Sequence, residues 1–274
     1  MPRPVTAPSP GGRPRLSTLG PAPHPAALLV AATVAMAMAL GTVLSACSAG
    51  ASVPAPPASQ GVVLNRPTPQ SVVLEDQSGK AVSLAGLRGK DVVLAPFLSL
   101  CQDECPLVTG AFIALERDLR AAHLARQVVF VEATVDPGRD SVARLAAYRK
   151  DFGADWELWT GTPAQIAAFW KPFGVTYQIV PEEQPAHDDW LTGQPLTYDV
   201  VHTDGYILID TKGRERFVDA SAPNLRGKLD KKLTSLLDSG GVYGLDHPQA
   251  TDWTLADALR ALSWLLGTEV HQAP

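Results

Sequence analysis

Residues 91–106, Asp91-Val92-Val93-Leu94-Ala95-Pro96-Phe97-Leu98-Ser99-Leu100-Cys101-Gln102-Asp103-Glu104-Cys105-Pro106, decide the fold. Asp91 to Leu98 is a mostly apolar run of strand length, the pattern of a strand buried on both faces. Pro106 sits where the first helical turn tolerates it, since the N–H it lacks would be unpaired there anyway. Helix-forming residues continue to about Ala122. Gln127 to Thr134 is rich in β-branched residues and reads as a second central strand. Asp140 or Ser141 can then cap a helix through Phe152, with Val142, Leu145, Ala146 and Tyr148 on its inner side. Thr162-Pro163 opens another helix, to about Lys171, in cap-then-proline order.

Further from this centre the signals are shorter. Ser71–Leu74 and Ala81–Leu84 flank the turn residues Asp76-Gln77-Ser78-Gly79 and predict a hairpin. Val175 to Val180 alternates like a strand. Tyr206–Asp210 and Glu215–Val218 make a second hairpin around Thr211-Lys212-Gly213. A helix over 223–237 closes the domain, which begins near Gly61 and extends to about residue 240. Strands alternating with helices, ending in a hairpin and helix, define an α/β sandwich. In the C-terminal extension, residues 241–274, Leu255, Leu259, Leu262, Leu265 and Leu266 recur at helical spacing. Arg260 is almost the only cation on the polar face of that helix. Packing back onto its own domain is therefore expected rather than docking to a membrane.

The 274 residues carry 23 Lys+Arg against 28 Asp+Glu, a net charge of −5, which argues against a nucleic-acid partner. Residues 1–46 hold Arg3, Arg13 and Arg15 and no acid, and an uncharged run from Ala26 to Ala46 follows them. That run is long enough to span a bilayer as an uncleaved signal anchor, or to be the apolar part of an export signal. Leu44-Ser45-Ala46-Cys47 at its end resembles the bacterial lipoprotein signal, in which Cys47 would be lipidated. Either way the chain is expected on the extracytoplasmic face of the cell membrane, tethered there. Residues 48–60 are small and Pro-rich and read as a flexible spacer.

With Cys47 assigned to lipidation, Cys101 and Cys105 remain as a pair, one on each side of the strand-to-helix corner. A helix N-terminus favours thiolate. A disulfide across so few residues restrains little of the unfolded chain, so redox or metal chemistry is the better reading than a structural staple. These cysteines belong to a larger pattern. C-x-x-x-C-P after a strand, then Val135-Asp136-Pro137-Gly138-Arg139-Asp140 after the next, then Val201-His202-Thr203 before Tyr206-Ile207-Leu208-Ile209-Asp210, resembles the Sco/SenC family.

That resemblance covers about 61–237. It implies a thioredoxin-like three-layer sandwich, here with an N-terminal hairpin and a C-terminal helical extension. It implies copper ligands at Cys101, Cys105 and His202, holding Cu(I) and also able to hold Cu(II). Asp136 and Asp140 would shape the loop beside the site. The implied role is to supply copper to the binuclear copper site of cytochrome c oxidase, with oxidase subunit II or another exported copper protein as partner. The donor chemistry agrees, because two thiolates and an imidazole suit copper. His202 is expected at the sheet edge, from where it could swing toward the cysteines. Two readings of other classes remain open. One is a thiol-disulfide oxidoreductase that keeps the oxidase cysteines reduced, with Cys101 and Cys105 as the redox-active pair. The other is a surface interaction lipoprotein with inert cysteines. The sequence also departs from the family around the pair, with Leu98-Ser99-Leu100 before Cys101 and Gln102 after it. Residues 181–195 look like an insertion that carries His202 further from Cys105, and His187-Asp188-Asp189 within it reads as a solvated acidic loop rather than a metal site.

Overall fold

The computed structural model describes residues 52–57 and 60–273, which belong to one compact unit. Cys47 and the apolar run before it lie outside these residues. Among the described residues twelve strands occur in chain order: β1 Val62–Pro67, β2 Leu74–Asp76, β3 Ala81–Val82, β4 Asp91–Phe97, β5 Val128–Thr134, β6 Glu157–Thr160, β7 Tyr177–Pro181, β8 Tyr198–His202, β9 Tyr206–Ile209, β10 Arg214–Asp219, β11 Pro223–Asn224 and β12 Trp253–Thr254. The helices are α1 Cys105–Ala121, α2 Val142–Phe152, α3 Pro163–Trp170, α4 Lys231–Thr234, α5 Ser239–Asp246 and α6 Leu255–Leu266. Among the described residues no helix is long and apolar enough to cross a membrane.

Eight strands form one sheet in the order β1-β10-β9-β4-β5-β6-β2-β3. Its centre, β4, is buried at every position and pairs in parallel with β5 and antiparallel with β9. Pro96 is tolerated in this strand where β9 no longer pairs, the β9 contact ending at Leu94. Parallel β4-β5-β6 joined by α1 and α2, with an antiparallel β9-β10 hairpin on the other side, is the thioredoxin-like arrangement.

Side-chain contacts separate the three layers. Phe130 of β5 meets Phe112 of α1 and Trp156, and Phe97 of β4 meets Tyr148 of α2, on one face. Trp159, in register with Ala133, meets Phe169 of α3 on the other. The helix α6 packs against α1 with Ala258, Leu259, Ala261 and Leu262 buried, and Trp253 before it stacks edge-on to Tyr206. Its start is fixed by a capping box between Thr254 and Asp257. The expectation that this helix packs on its own domain therefore holds.

Several local expectations are corrected. The N-terminal hairpin exists, but its first strand starts only at Leu74, and Leu84–Leu87 is a short 3-10 turn. Ala146 is exposed, so α2 buries only Leu145 and Tyr148 fully. The single helix over 223–237 is replaced by β11 and the four-residue α4. Asn224 accepts the Arg226 N–H through Oδ1, and Arg226 and Gly227 take positive φ, which breaks any helix there. Strand β6 had no sequence expectation. Its four residues include only one β-branched side chain, and the two tryptophans nearby look equally at home in a helix.

His202 is not at an edge of the main sheet. It ends β8, which pairs only with β7 in a separate two-stranded hairpin, from Tyr177 opposite His202 to Pro181 opposite Tyr198. Residues 182–197 form the closed end of that hairpin, away from His202.

Candidate metal centre

The site begins where β4 ends. Asp140, the last residue of the Asp136–Asp140 motif, is 1% exposed, and its carboxylate accepts Ser99 N–H, Ser99 Oγ–H at 2.5 Å and Thr134 Oγ–H at 2.6 Å. It thereby fixes the backbone two residues before Cys101. Asp136 accepts Tyr198 Oη–H at 3.1 Å and pairs with Arg139, whose guanidinium donates to the Tyr198 carbonyl at 2.7 Å and lies over the Tyr198 ring. Tyr198 opens β8. The two aspartates thus act on opposite halves of the site, Asp140 on the cysteine loop and Asp136 on the histidine hairpin.

Cys105 is the first residue of α1 and buried; Cys101 is half-buried, and neither is in a disulfide. The Cys105 N–H donates to Cys101 Sγ at 3.3 Å, as expected of an unpaired N–H at a helix start. Cys105 Sγ lies 3.3 Å from His202 Nε2. The donor atoms of Cys101, Cys105 and His202 all fall within 4.8 Å of one another. His202 Nδ1 donates to the Thr203 carbonyl at 2.8 Å, which leaves Nε2 as the ring atom facing the thiols.

Hydrogen bonding to Cys105 and the nearby His202 hold the Cys101 thiol at about 5, against the upward pull of burial. Burial pushes Cys105 well up. For His202 burial acts downward, but the hydrogen bond to Cys101 and its charge carry the ring to about 9. At neutral pH, before any metal binds, the site therefore holds a Cys101 thiolate beside an imidazolium, with Cys105 as a thiol. Metal entry must displace the protons of Cys105 and of His202 Nε2. Alkylation of Cys101 by iodoacetamide is expected to rise with a midpoint near pH 5, several pH units below a free cysteine. Mass measurement of the modified peptide across pH 4–9 checks this, and a midpoint above 8 would refute it.

Beside the Cys101 thiol opens a cleft of about 210 Å³ whose lining includes seven carboxylates, Asp103, Glu104, Glu182, Glu183, Asp199, Asp204 and Asp238, and no Lys or Arg. Burial and repulsion by the Cys101 thiolate raise Asp103 to about 6. Burial and a hydrogen bond with Asp204 raise Glu104 to about 10.

Sequence reasoning missed the contribution of α5. The Asp238 N–H donates to the Gln102 carbonyl at 2.9 Å, and a Cβ on Gly241 would lie 2.5 Å from that oxygen and 3.0 Å from Asp103 Cα. The Gln102 side chain donates to Glu182 at 3.4 Å. The loop between the cysteines is thus held from two sides, by α5 and by the 182–197 segment. A glycine three residues beyond an acidic cap was the available signal. Gly241→Ala should cost about 1–2 kcal/mol by overpacking and shift the Cys101 alkylation midpoint, read by denaturant melts and the assay above; no change in either would show that α5 does not shape the loop.

In the 182–197 segment, Asp189 is not solvated as expected. It is 8% exposed and forms a two-pronged pair with Arg144 at 2.9 and 2.5 Å, while Trp190 donates to the Ser99 carbonyl at 2.7 Å. The arginine supplies the partner that a buried carboxylate needs.

A thioredoxin-like domain with a dithiol at the first strand-to-helix corner and an imidazole brought beside it defines a class of metal-handling and redox proteins. The sequence description of the SCO1/SenC family matches residues 66–229, more than half of the chain. The chain belongs to the SCO1/SenC family. It is 28% identical over 126 residues to the mitochondrial SCO2 homologue of Mus musculus, covering 46% of this chain and 48% of that protein, so the chain spans about half the length of the curated relatives it matches. Among solved structures, copper-bound ScoI of Bradyrhizobium japonicum aligns with a TM-score of 0.46 at 25% identity, over 64% of this chain and 96% of that one. Copper-bound yeast Sco1 aligns with a TM-score of 0.45 at 26% identity, over 64% and 86%.

Proposed function

We propose that the chain is a copper-binding metallochaperone that matures the binuclear copper site of cytochrome c oxidase. Copper, its cargo, is held by Cys101, Cys105 and His202. The observation that carries this reading is the convergence of two sulfurs and Nε2 within 4.8 Å, with the far ring nitrogen already tied to a carbonyl. Two soft donors and one intermediate donor suit Cu(I) and also accommodate Cu(II). Three protein ligands leave a position for a ligand from the receiving protein, so the ion passes by exchange. Family membership supports the oxidase as receiver, with subunit II as the partner. Cys47, outside the described residues, supplies the tether in this reading, either as a lipidated N-terminus or next to an uncleaved anchor.

A second reading, a thiol-disulfide reductase for the oxidase cysteines, draws on the unequal pair: a low-pKa, half-buried Cys101 and a buried Cys105. His202 separates the two. His202→Ala is expected to weaken copper binding by ten-fold or more and to change the Cu(II) spectrum, while Cys101 and Cys105 still form and break their disulfide. Copper stoichiometry, absorption spectrum and rescue of oxidase assembly would be compared with Cys105→Ser. Full copper binding and full rescue by His202→Ala would overturn the ligand assignment and move the reductase reading ahead.

A further inference from the structure

Two buried polar atoms beside the site, on neighbouring side chains, have no hydrogen-bond partner. Glu182 Oε2 and His187 Nδ1 are both shielded and unpaired, and His187 Nδ1 lies 3.8 Å from Glu182 Oε1, too far for a hydrogen bond. The Glu182 side chain is only 4% exposed, whereas the His187 side chain is 43% exposed. The carboxylate is therefore sunk while the ring keeps an outer edge in water. Unsatisfied buried groups of this kind call for an ion or water between them.

Their position ties them to the thiol site. Glu182 lines the 210 Å³ cleft that contains Cys101 and His202, and His187 lines a second cavity of about 110 Å³ that also reaches Cys101. Gln102 borders both cavities and donates to Glu182. Asp189 is committed to Arg144 and cannot serve as a ligand. Asp188 and Glu183 are exposed nearby and bias the surface toward cations. The segment holding His187 is closed by Leu196 N–H donating to the His187 carbonyl at 2.7 Å and by a bridge between Asp188 and Pro195.

We propose that His187 and Glu182 form a second copper site, an entry station for Cu(II) beside Cys101. Metal–nitrogen and metal–oxygen bonds of about 2 Å fit a gap of this size with little movement. One imidazole and one carboxylate suit Cu(II), in contrast to the thiolate-rich centre. With only two protein donors the remaining positions belong to water, so the ion is held weakly and exchanges readily. Passage onward is ligand exchange to the neighbouring Cys101 thiolate, without change of oxidation state. The inference rests on the copper reading above but concerns different residues.

The test uses aqueous copper(II) as the probe and two measurements. In the full chain with Cys101→Ser, Cys105→Ser and His202→Ala, electron paramagnetic resonance should detect one Cu(II) with a single-nitrogen hyperfine pattern. Adding His187→Ala or Glu182→Gln should weaken that binding at least ten-fold. In the chain with its three thiol-site donors intact, His187→Ala should leave the final thiolate-to-copper absorption unchanged and slow its appearance several-fold in stopped flow. Unaltered Cu(II) binding together with an unaltered loading rate would overturn the entry station, and the pair would then be a water-bridged contact only. Absence of any thiolate-to-copper band in the intact chain would instead overturn the copper reading. The signal at His187 in the donor-less variant tests the entry station independently of that band.

Discussion

Asp140→Ala is expected to lower the unfolding free energy by about 3–5 kcal/mol, close to what a small domain can lose before it unfolds. The carboxylate is fully buried and receives three donors, the Ser99 N–H, the Ser99 hydroxyl and the Thr134 hydroxyl. Alanine leaves the N–H without a partner in a dry environment and frees the turn that leads into Cys101. Copper binding should therefore fall with stability. Asp140→Asn keeps the shape and one acceptor, but points an amide N–H₂ at a neighbouring donor, so an intermediate loss of about 1–2 kcal/mol is expected. Urea melts of both variants, with copper stoichiometry measured well below the transition, check the claim. A stable Asp140→Ala protein that still loads copper would show that the Ser99 turn holds without its anchor.

Glu132→Gln should have the opposite sign. Glu132 sits at the middle of β5 with no exposure, accepting from Thr109 at 2.9 Å and from Trp156 at 3.0 Å, and burial raises its carboxyl to about 8 despite those bonds. An unfolded glutamate ionises near 4.3, so between roughly pH 4 and 8 the unfolded chain gives up a proton that the folded chain keeps. Stability from this group is full at low pH and is lost progressively as pH rises through that window, by roughly 4–5 kcal/mol at pH 8. Glutamine cannot ionise. Its carbonyl can accept from Trp156, and its amide can donate to Thr109, whose hydroxyl then turns to Tyr148 at 3.1 Å. The variant should gain roughly 4–5 kcal/mol over wild type at pH 8 and almost nothing at pH 4. Melts at the two values decide it; a gain independent of pH would mean that Glu132 is ionised in the folded protein.

The centre of the fold was legible because it is dictated by strong local signals. Asp91–Phe97 has no room for a charge past its first residue, Pro106 marks the helix start, and Thr162-Pro163 caps α3 as its sequence order requires. The three donor positions were legible only through the pattern linking them, since nothing local to Val201-His202-Thr203 specifies where the ring goes. What escaped was tertiary. Strand β6 is made a strand by its neighbours β5 and β2 rather than by propensity. The break after Asn224 depends on one side-chain turn and two positive φ values. Asp189 reads as solvated until Arg144, 45 residues earlier, is seen to meet it. The grip of Asp238 and Gly241 on the cysteine loop depends on a packing distance that no spacing in the chain encodes.

The β7–β8 hairpin also settles why a long intervening stretch does no harm. Cys105 and His202 are 97 residues apart, and much of the last part of that interval is the 182–197 segment. Yet the hairpin pairs Tyr177 with His202 at one end and closes at the other, like a zipper whose pull tab is the 182–197 segment. Extra residues there extend the tab without moving the teeth. For a flexible loop the entropy of closure grows only with the logarithm of length, about 0.6 kcal/mol per doubling. The distance from ring to thiol is thereby uncoupled from the number of residues between them. This part of the chain is free to acquire new surface while Cys101, Cys105 and His202 keep their places.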